Sequence, residues 1–338
     1  MAVLENKYPS LYDLAQLPGN EDAKDVIDLL AAHNPILEDA PALECNKGTY
    51  HETTVRTGLP SVTWGQLYSG IPATKGTRQT VKDTTGFVES AAEVDCRLVD
   101  DFEKAADKAS IRMEEAEGHL EAMAQEGATA IFYHDTKTDP KKPMGFAPRF
   151  NDLTNAENKS QIIDGGGSGS DNTSIWMITW DKSACHLIYP KGTKAGIARK
   201  DCGEIPVTDG NGNRYMAYRE EFKWHFGLTV RNWQYVARVA NIDVSDLTVD
   251  AATGPKVIDL MTKMYYRHKG RRVSKGKTCI YMNTTLVEYL DQQARNQSGR
   301  NLFLGFSEYG PNAKEILHFR GVPIRECDAI LNTEAEVV

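Results

Sequence analysis

The sequence predicts an α+β protein in which one long helix, a strand-rich block and a mixed α/β segment follow one another. Three observations carry this reading. Apolar or small residues recur every three or four positions from Leu98 to Met123, which is the period of one helix face. Strand-type runs crowd the stretch from Ser174 to Ile242, and helical and strand patterns alternate after Gly254. With 338 residues and 41% hydrophobic composition, the chain can bury one large core or two modest ones.

The first 48 residues read as an extended arm. Pro9, Pro18, Pro35 and Pro41 interrupt any long helix there, because each removes a backbone donor and restricts the residue before it. Between them, Glu21 to His33 predicts one helix capped by Asn20, with Val26, Ile27, Leu29 and Leu30 as its apolar side. Such an arm buries too little of itself to fold alone and needs a surface, its own domain's or a neighbour's. From Gly48 to Asp95 the runs 53–58 and 77–82 favour strands, and Trp64, Tyr68 and Pro72 lie between them. A long two-stranded excursion with a complicated tip is expected. Isolated hairpins are marginal in water, so this one is either gripped from outside its own domain or packed as an ordinary hairpin on its own core.

The helical period is clearest from Asp100 to Gly127, with Phe102, Ala105, Ala109, Met113, Ala116, Leu120 and Met123 on one face and most charges on the others. That many residues make a rod of about 42 Å, enough to span a subunit. A linker rich in Lys, Pro and Thr follows at 135–148, then the glycine cluster 165–170. Strands are expected at 174–180, 186–189, 215–221 and 228–242, with the turn Asp209 to Asn213 built from residues that tolerate positive φ. After Gly254 come a helix at 256–267 begun by Pro255, a short buried strand at 278–282, a helix from Thr284 to Arg295, and a strand–turn–strand tail at 317–324. No internal repeat is present.

The residues offer no catalytic chemistry. The glycine cluster is followed by Ser170-Asp171-Asn172, which lacks the P-loop lysine and puts an acid where phosphate would sit, and it leads into a strand where a dinucleotide fold needs a helix. It reads as a flexible loop. His186 has no second ligand at metal spacing and reads as structural. Cys45, Cys96, Cys185, Cys202, Cys279 and Cys327 form no CxxC pair and read as buried small hydrophobes in a reducing compartment. No catalytic residue, cofactor or metal is therefore expected. The net charge of −8 argues against wrapping nucleic acid, although the basic run 267–272 either contacts nucleic acid or is a solvated loop or subunit contact. Met1 to Lys7 lacks the pattern of a secretory signal, and no apolar run is long enough to span a membrane. A soluble cytoplasmic product is the expectation.

The order of elements, together with several short stretches, resembles the Hong Kong 97-type major capsid proteins of tailed double-stranded-DNA bacteriophages. Gly48 to Pro60 resembles the E-loop opening of short-tailed-phage capsid proteins, and so do 149–153, 174–176, 189–192, 240–243 and 321–325 at their own places in the chain. Each is weak alone, and their common order gives the specificity. The resemblance implies an N-terminal arm (1–48), an E-loop (49–95), a peripheral domain with the spine helix at about 98–127 (96–250), and an axial domain with the C-terminal tail (251–338). Because the strand block precedes the axial-like segment, the order looks like the rearranged topology found among relatives of a Bordetella-infecting short-tailed phage. The family's Lys–Asn crosslink is not carried over, since Lys75 alone supplies no such chemistry.

What the resemblance implies about function is assembly. Copies of the chain would form pentamers and hexamers of an icosahedral shell, made in the bacterial cytoplasm and enclosing duplex DNA without sequence-specific binding. The expected partners are a separate scaffolding protein, a portal and a cement or decoration protein, with no membrane. Trp64 and Tyr68, with the flanking Arg56, Lys75 and Arg78, are the candidate inter-subunit contacts, because aromatic residues and arginine dominate interface energetics. The competing reading is a cytoplasmic oligomeric enzyme with an unrecognised active site.

Overall fold

The computed structural model describes residues 35–100, 105–154, 157–208, 212–248, 254–272, 276–296, 304–307 and 316–338. The expected helix at 21–33 lies outside them. In chain order the elements are α1 (Pro35–Asp39), β1 (Ala42–Glu44), β2 (Tyr50–Arg56), β3 (Arg78–Thr84), β4 (Gly86–Asp95), α2 (Cys96–Asp100) and α3 (Ala105–Tyr133). Then follow β5 (Ile162–Asp164), β6 (Asn172–Trp180), β7 (Cys185–Tyr189), β8 (Ile197–Thr208), β9 (Arg214–Val230) and β10 (Val236–Asp243). The chain ends with α4 (Val257–Arg267), β11 (Lys277–Met282), α5 (Thr284–Asn296), β12 (Leu304–Ser307), β13 (Ile316–Phe319) and β14 (Val322–Glu326).

The strand β6 organises the interior. Every one of its residues is buried, so it needs partners on both edges and cover on both faces. It pairs antiparallel with β10 on one edge and with β11 on the other. Its side chains alternate with the period of two that a strand imposes. Trp176, Ile178 and Trp180 face a core that also holds Phe132, Phe146, Phe150 and Tyr281. Ile175 and Met177 face a second core with Met261 and Met264 of α4 and Leu286 and Leu290 of α5.

The long helix α3 packs on an antiparallel ribbon, β4–β9–β8, which continues the main sheet through the pairing of β7 with the end of β9. Ala116, Leu120 and Met123 meet Ala92, Phe222 and Trp224 there. Glu220, buried under the helix, is paired with Arg112 from α3 and Arg199 from β8, so helix and ribbon are joined by charge as well as by apolar contact. The helix continues to Tyr133, past the expected end at Gly127. Gly127 is not a stop: a Cβ on it would sit 2.2 Å from the Trp224 ring, so glycine is there to let the ribbon approach.

Three expectations change. The division between 96–250 and 251–338 cuts through one sheet and one core, because β6 and β10 pair with or pack beside β11, α4 and α5. The N-terminal part of the long helix packs on the ribbon, and its C-terminal Phe132 packs on Phe146 and Trp176 of the main core. The hairpin expected at 49–95 closes at Thr84, since β4 leaves it to pair along β9 from Gly86 to Asp95. The glycine cluster is not slack: Gly165 and Gly167 donate to the carbonyls of Ala240 and Asn241 at 2.8 Å, and a Cβ on Gly165 would meet the Asn241 carbonyl at 2.5 Å. The last residues of the arm lie on their own domain, where β1 runs parallel to β7 and Ile36 is fully buried.

Candidate functional site

The most conspicuous surface feature is the hairpin β2–β3. Its seven paired positions run from Tyr50 opposite Thr84 to Arg56 opposite Arg78. Beyond them Thr57 and Gly58 exchange backbone hydrogen bonds with Thr77 at 3.1–3.4 Å. Gly58 and Gly76 lie so close that a Cβ on Gly76 would stand 2.9 Å from the Gly58 carbonyl oxygen. The tip past this pinch carries Leu59, Val62, Trp64, Leu67, Tyr68 and Ile71, each at least 80% exposed. Monomeric proteins rarely leave so many contiguous large apolar side chains in water. Tyr68 has a φ of 64°, a left-handed conformation that a bulky residue seldom adopts.

The base of the hairpin is held firmly. Asp83 is buried, ion-paired with Arg149 at 2.8 Å and accepting a hydrogen bond from the Thr229 hydroxyl at 2.6 Å. Arg149 in turn donates to the Leu228 carbonyl on β9. Thr85 donates to the Thr49 carbonyl through both its backbone and its hydroxyl. His51 packs edge-on against His186, with ring centroids 5.6 Å apart. Burial, then the fields of His51 and Arg231, pushes His186 down to about 4, and burial, then the field of Arg231, also lowers His51. His186 is thus a structural residue beneath the hairpin, as the sequence predicts.

Of the sequence-predicted contact residues, the structure brings Arg56, Lys75 and Arg78 together around one open concavity with Pro60, Thr74 and Thr77. No carboxylate is among the residues lining it. Trp64 and Tyr68 stand apart from them, fully exposed on the tip. Sequence reasoning missed the anchor, Asp83 with Arg149 and Thr229, because its members are 66 and 146 positions away from Asp83 and no local pattern marks a buried acid. It also missed Leu59, Val62, Leu67 and Ile71. The available signal was their density in a loop of Gly, Pro and Ser with no helical or strand period.

Among the described residues no group of His, Cys, Asp and Glu is arranged to hold a metal ion, and no helix is long and apolar enough to cross a membrane. Five cysteines are buried, Cys202 is partly so, and all are free thiols.

Residues 19–338 match the family model described as major capsid protein GP7. The chain is 34% identical to a chain in the solved structure of bacteriophage Epsilon15, with a TM-score of 0.69 over 100% of this chain and 99% of that one. It also matches the bacteriophage JBD30 capsid at 9% identity and a TM-score of 0.51, covering 95% of this chain and 99% of that one, a likeness of fold alone. No curated protein matches.

Proposed function

Because the chain belongs to the major capsid protein GP7 family, a family of structural shell proteins rather than enzymes, we propose that it closes into an icosahedral shell of pentamers and hexamers through its β2–β3 hairpin. The observation that supports this most is the exposed apolar tip on a firmly anchored base. A side chain such as Trp64 buries roughly 150–250 Å² when covered, and among the described residues none covers it. A hairpin that is rigid at its root and apolar at its end is preorganised to lie across a neighbour, which lowers the ordering cost of each contact. The concavity of Arg56, Lys75 and Arg78 adds three positive charges that call for carboxylates from that neighbour, since like charges facing across a hairpin repel.

In this reading α3 with the ribbon β4–β9–β8 is the peripheral region, and the sheet flanked by α4 and α5 is the axial region. In chain order β6 of the axial sheet comes before the ribbon strands β8 and β9, and β10 comes after them, so the order of elements gives no support to the Bordetella-phage type. The shell would assemble in the host cytoplasm around a separate scaffolding protein, incorporate a portal, take a cement protein outside and enclose duplex DNA.

The test is light scattering after size exclusion, with negative-stain microscopy of the largest fraction, on the chain expressed alone and with its neighbouring genes. Shells, or rings of five and six that close with a scaffold, are expected. A dimer or tetramer that never assembles under either condition would overturn the reading.

A further inference from the structure

Shell building leaves the basic run 267–272 without a task. Between Lys263 and Arg272 there are five basic residues and no acidic one, in a chain whose net charge is −8. The fold seats this run firmly. His268 points inward, fully buried, with Nε2 2.8 Å from the Tyr235 carbonyl oxygen. Gly270 lies so close to the sheet that a Cβ would meet the Thr179 hydroxyl at 2.3 Å. Outside that plug, Arg271 lies over the rings of Tyr265 and Tyr266 at 5.6 and 5.0 Å. Arg320, brought in by the β13–β14 turn, lies over the same rings at 5.3 and 5.2 Å and donates to the Tyr266 hydroxyl at 3.0 Å. Lys263, Arg267 and Lys269 are exposed around them. Among the described residues none of Lys263, Arg267, Lys269 and Arg271 forms an ion pair with a carboxylate.

The ring faces of this tyrosine pair hold the Arg271 guanidinium in place beside Arg320. The arrangement also presents planar N–H donors from fixed positions, which is the chemistry that recognises phosphate oxygens. We propose that this patch binds the phosphodiester backbone of nucleic acid without reading its sequence. Arg271 and Arg320 contact phosphate, Lys263, Arg267 and Lys269 supply the surrounding field, and the half-exposed Tyr266 ring offers a face to a sugar or base. A second copy of the chain fits less well. Interface centres are depleted in charge and rich in apolar contact, whereas this patch is cationic and Tyr266 is its large exposed apolar residue. In a chain whose net charge is −8, such a patch would give packaged duplex a defined place to touch.

The proposal rests on the shell reading, and two measurements keep their failures apart. In the first, the soluble full chain is titrated with a short fluorescent duplex across a range of salt. The Arg271→Gln/Lys269→Gln variant keeps Arg320 to hold Tyr266 in place. Its slope of log affinity against log salt should fall by about 1 for each contact removed, while Arg56→Gln/Lys75→Gln on the hairpin leaves the slope unchanged. In the second, DNA-filled and empty particles are irradiated with ultraviolet light, and cross-linked peptides are mapped by mass spectrometry. The peptide spanning Tyr265 to Arg271 should carry nucleotide in filled particles only. An unchanged slope in the Arg271/Lys269 variant would overturn the proposal, as would a variant that binds duplex normally but no longer assembles, which would make the patch a subunit contact. If no particle ever forms, the shell reading fails, and the soluble titration still decides the patch.

Discussion

Glu334, four positions past Ile330 in the C-terminal tail, carries a carboxylate into the interior. It accepts hydrogen bonds from the Tyr133 hydroxyl at 2.5 Å and from Arg238 at 2.7 Å, and it also meets the Ser174 hydroxyl. Arg238 is itself buried and stacks on Trp176. Burial, and then the charge of Glu334, pushes the Tyr133 phenol far up, so it stays a donor. Replacing Glu334 with Gln strands a buried guanidinium, which costs about 3–5 kcal/mol. Denaturant unfolding of the soluble subunit checks this, and a loss below about 1 kcal/mol would show that water already shares the site. Histidine sets the acid limit. Burial pushes His268 down to about 4 and, with the fields of His51 and Arg231, does the same for His186. A base whose folded pKa lies below its unfolded value near 6.5 leaves the unfolded chain holding more protons between the two. Stability from both groups is therefore complete above about 6.5 and is lost as pH falls toward 4. Melting temperature measured across that window should fall with acid, and His268→Gln should flatten the decline.

At the scale of elements, the hairpin's rigidity depends on an anchor at one end. Asp83→Ala leaves Arg149 and the Thr229 hydroxyl facing an emptied site. Amide exchange in β2 and β3 should then accelerate by at least about tenfold, as local opening becomes cheaper, while the amides of β6 and β11 change much less. Equal acceleration throughout would mean that the hairpin and the core open together. The elements also show what a single sequence can reveal. The helix α3 was readable from its apolar period because its buried stripe faces one ribbon. Its last turn was not, because Gly127 has the composition of a terminus and acts through its contact with Trp224. The strand β8 was missed outright: it lies on the ribbon's edge, with one face exposed and the other only half-buried by mostly polar residues, and it tolerates Pro206 and Gly203 there. Both C-terminal helices were legible because their apolar residues face one core, and the strand β11 was legible as a short continuous apolar run buried on both faces, with Tyr281 in one core and Ile280 in the other. Which region β6 and β10 belong to was not, because burial on both faces removes the alternation that would point to a partner.

The whole molecule combines a well-buried body with one surface that its own fold leaves unfinished. The aromatic residues of that surface were legible as candidates, since Trp64 and Tyr68 stand among glycines and prolines where no core is available to receive them. Their separation from the cation group of Arg56, Lys75 and Arg78 was not, because it depends on the pinch between Gly58 and Gly76. This division of labour makes a sharp expectation for Trp64→Ala. Trp64 is 98% exposed, so its removal takes nothing from the subunit's core, and the melting temperature of the unassembled subunit should hold to within the small changes usual for surface positions, about 0.5 kcal/mol. Assembly should behave differently. An aromatic anchor buried at an interface is worth about 2 kcal/mol or more, a factor of about 30 in each contact. Every subunit repeats that contact around a closed surface, so the concentration at which shells first appear by light scattering should rise by at least that factor. Trp64→Phe, which keeps most of the buried area, should recover much of the loss. A Trp64→Ala subunit that closes shells at the original concentration would mean that the apolar tip remains in solvent after assembly, and the contact would then have to be sought in the cations at its base.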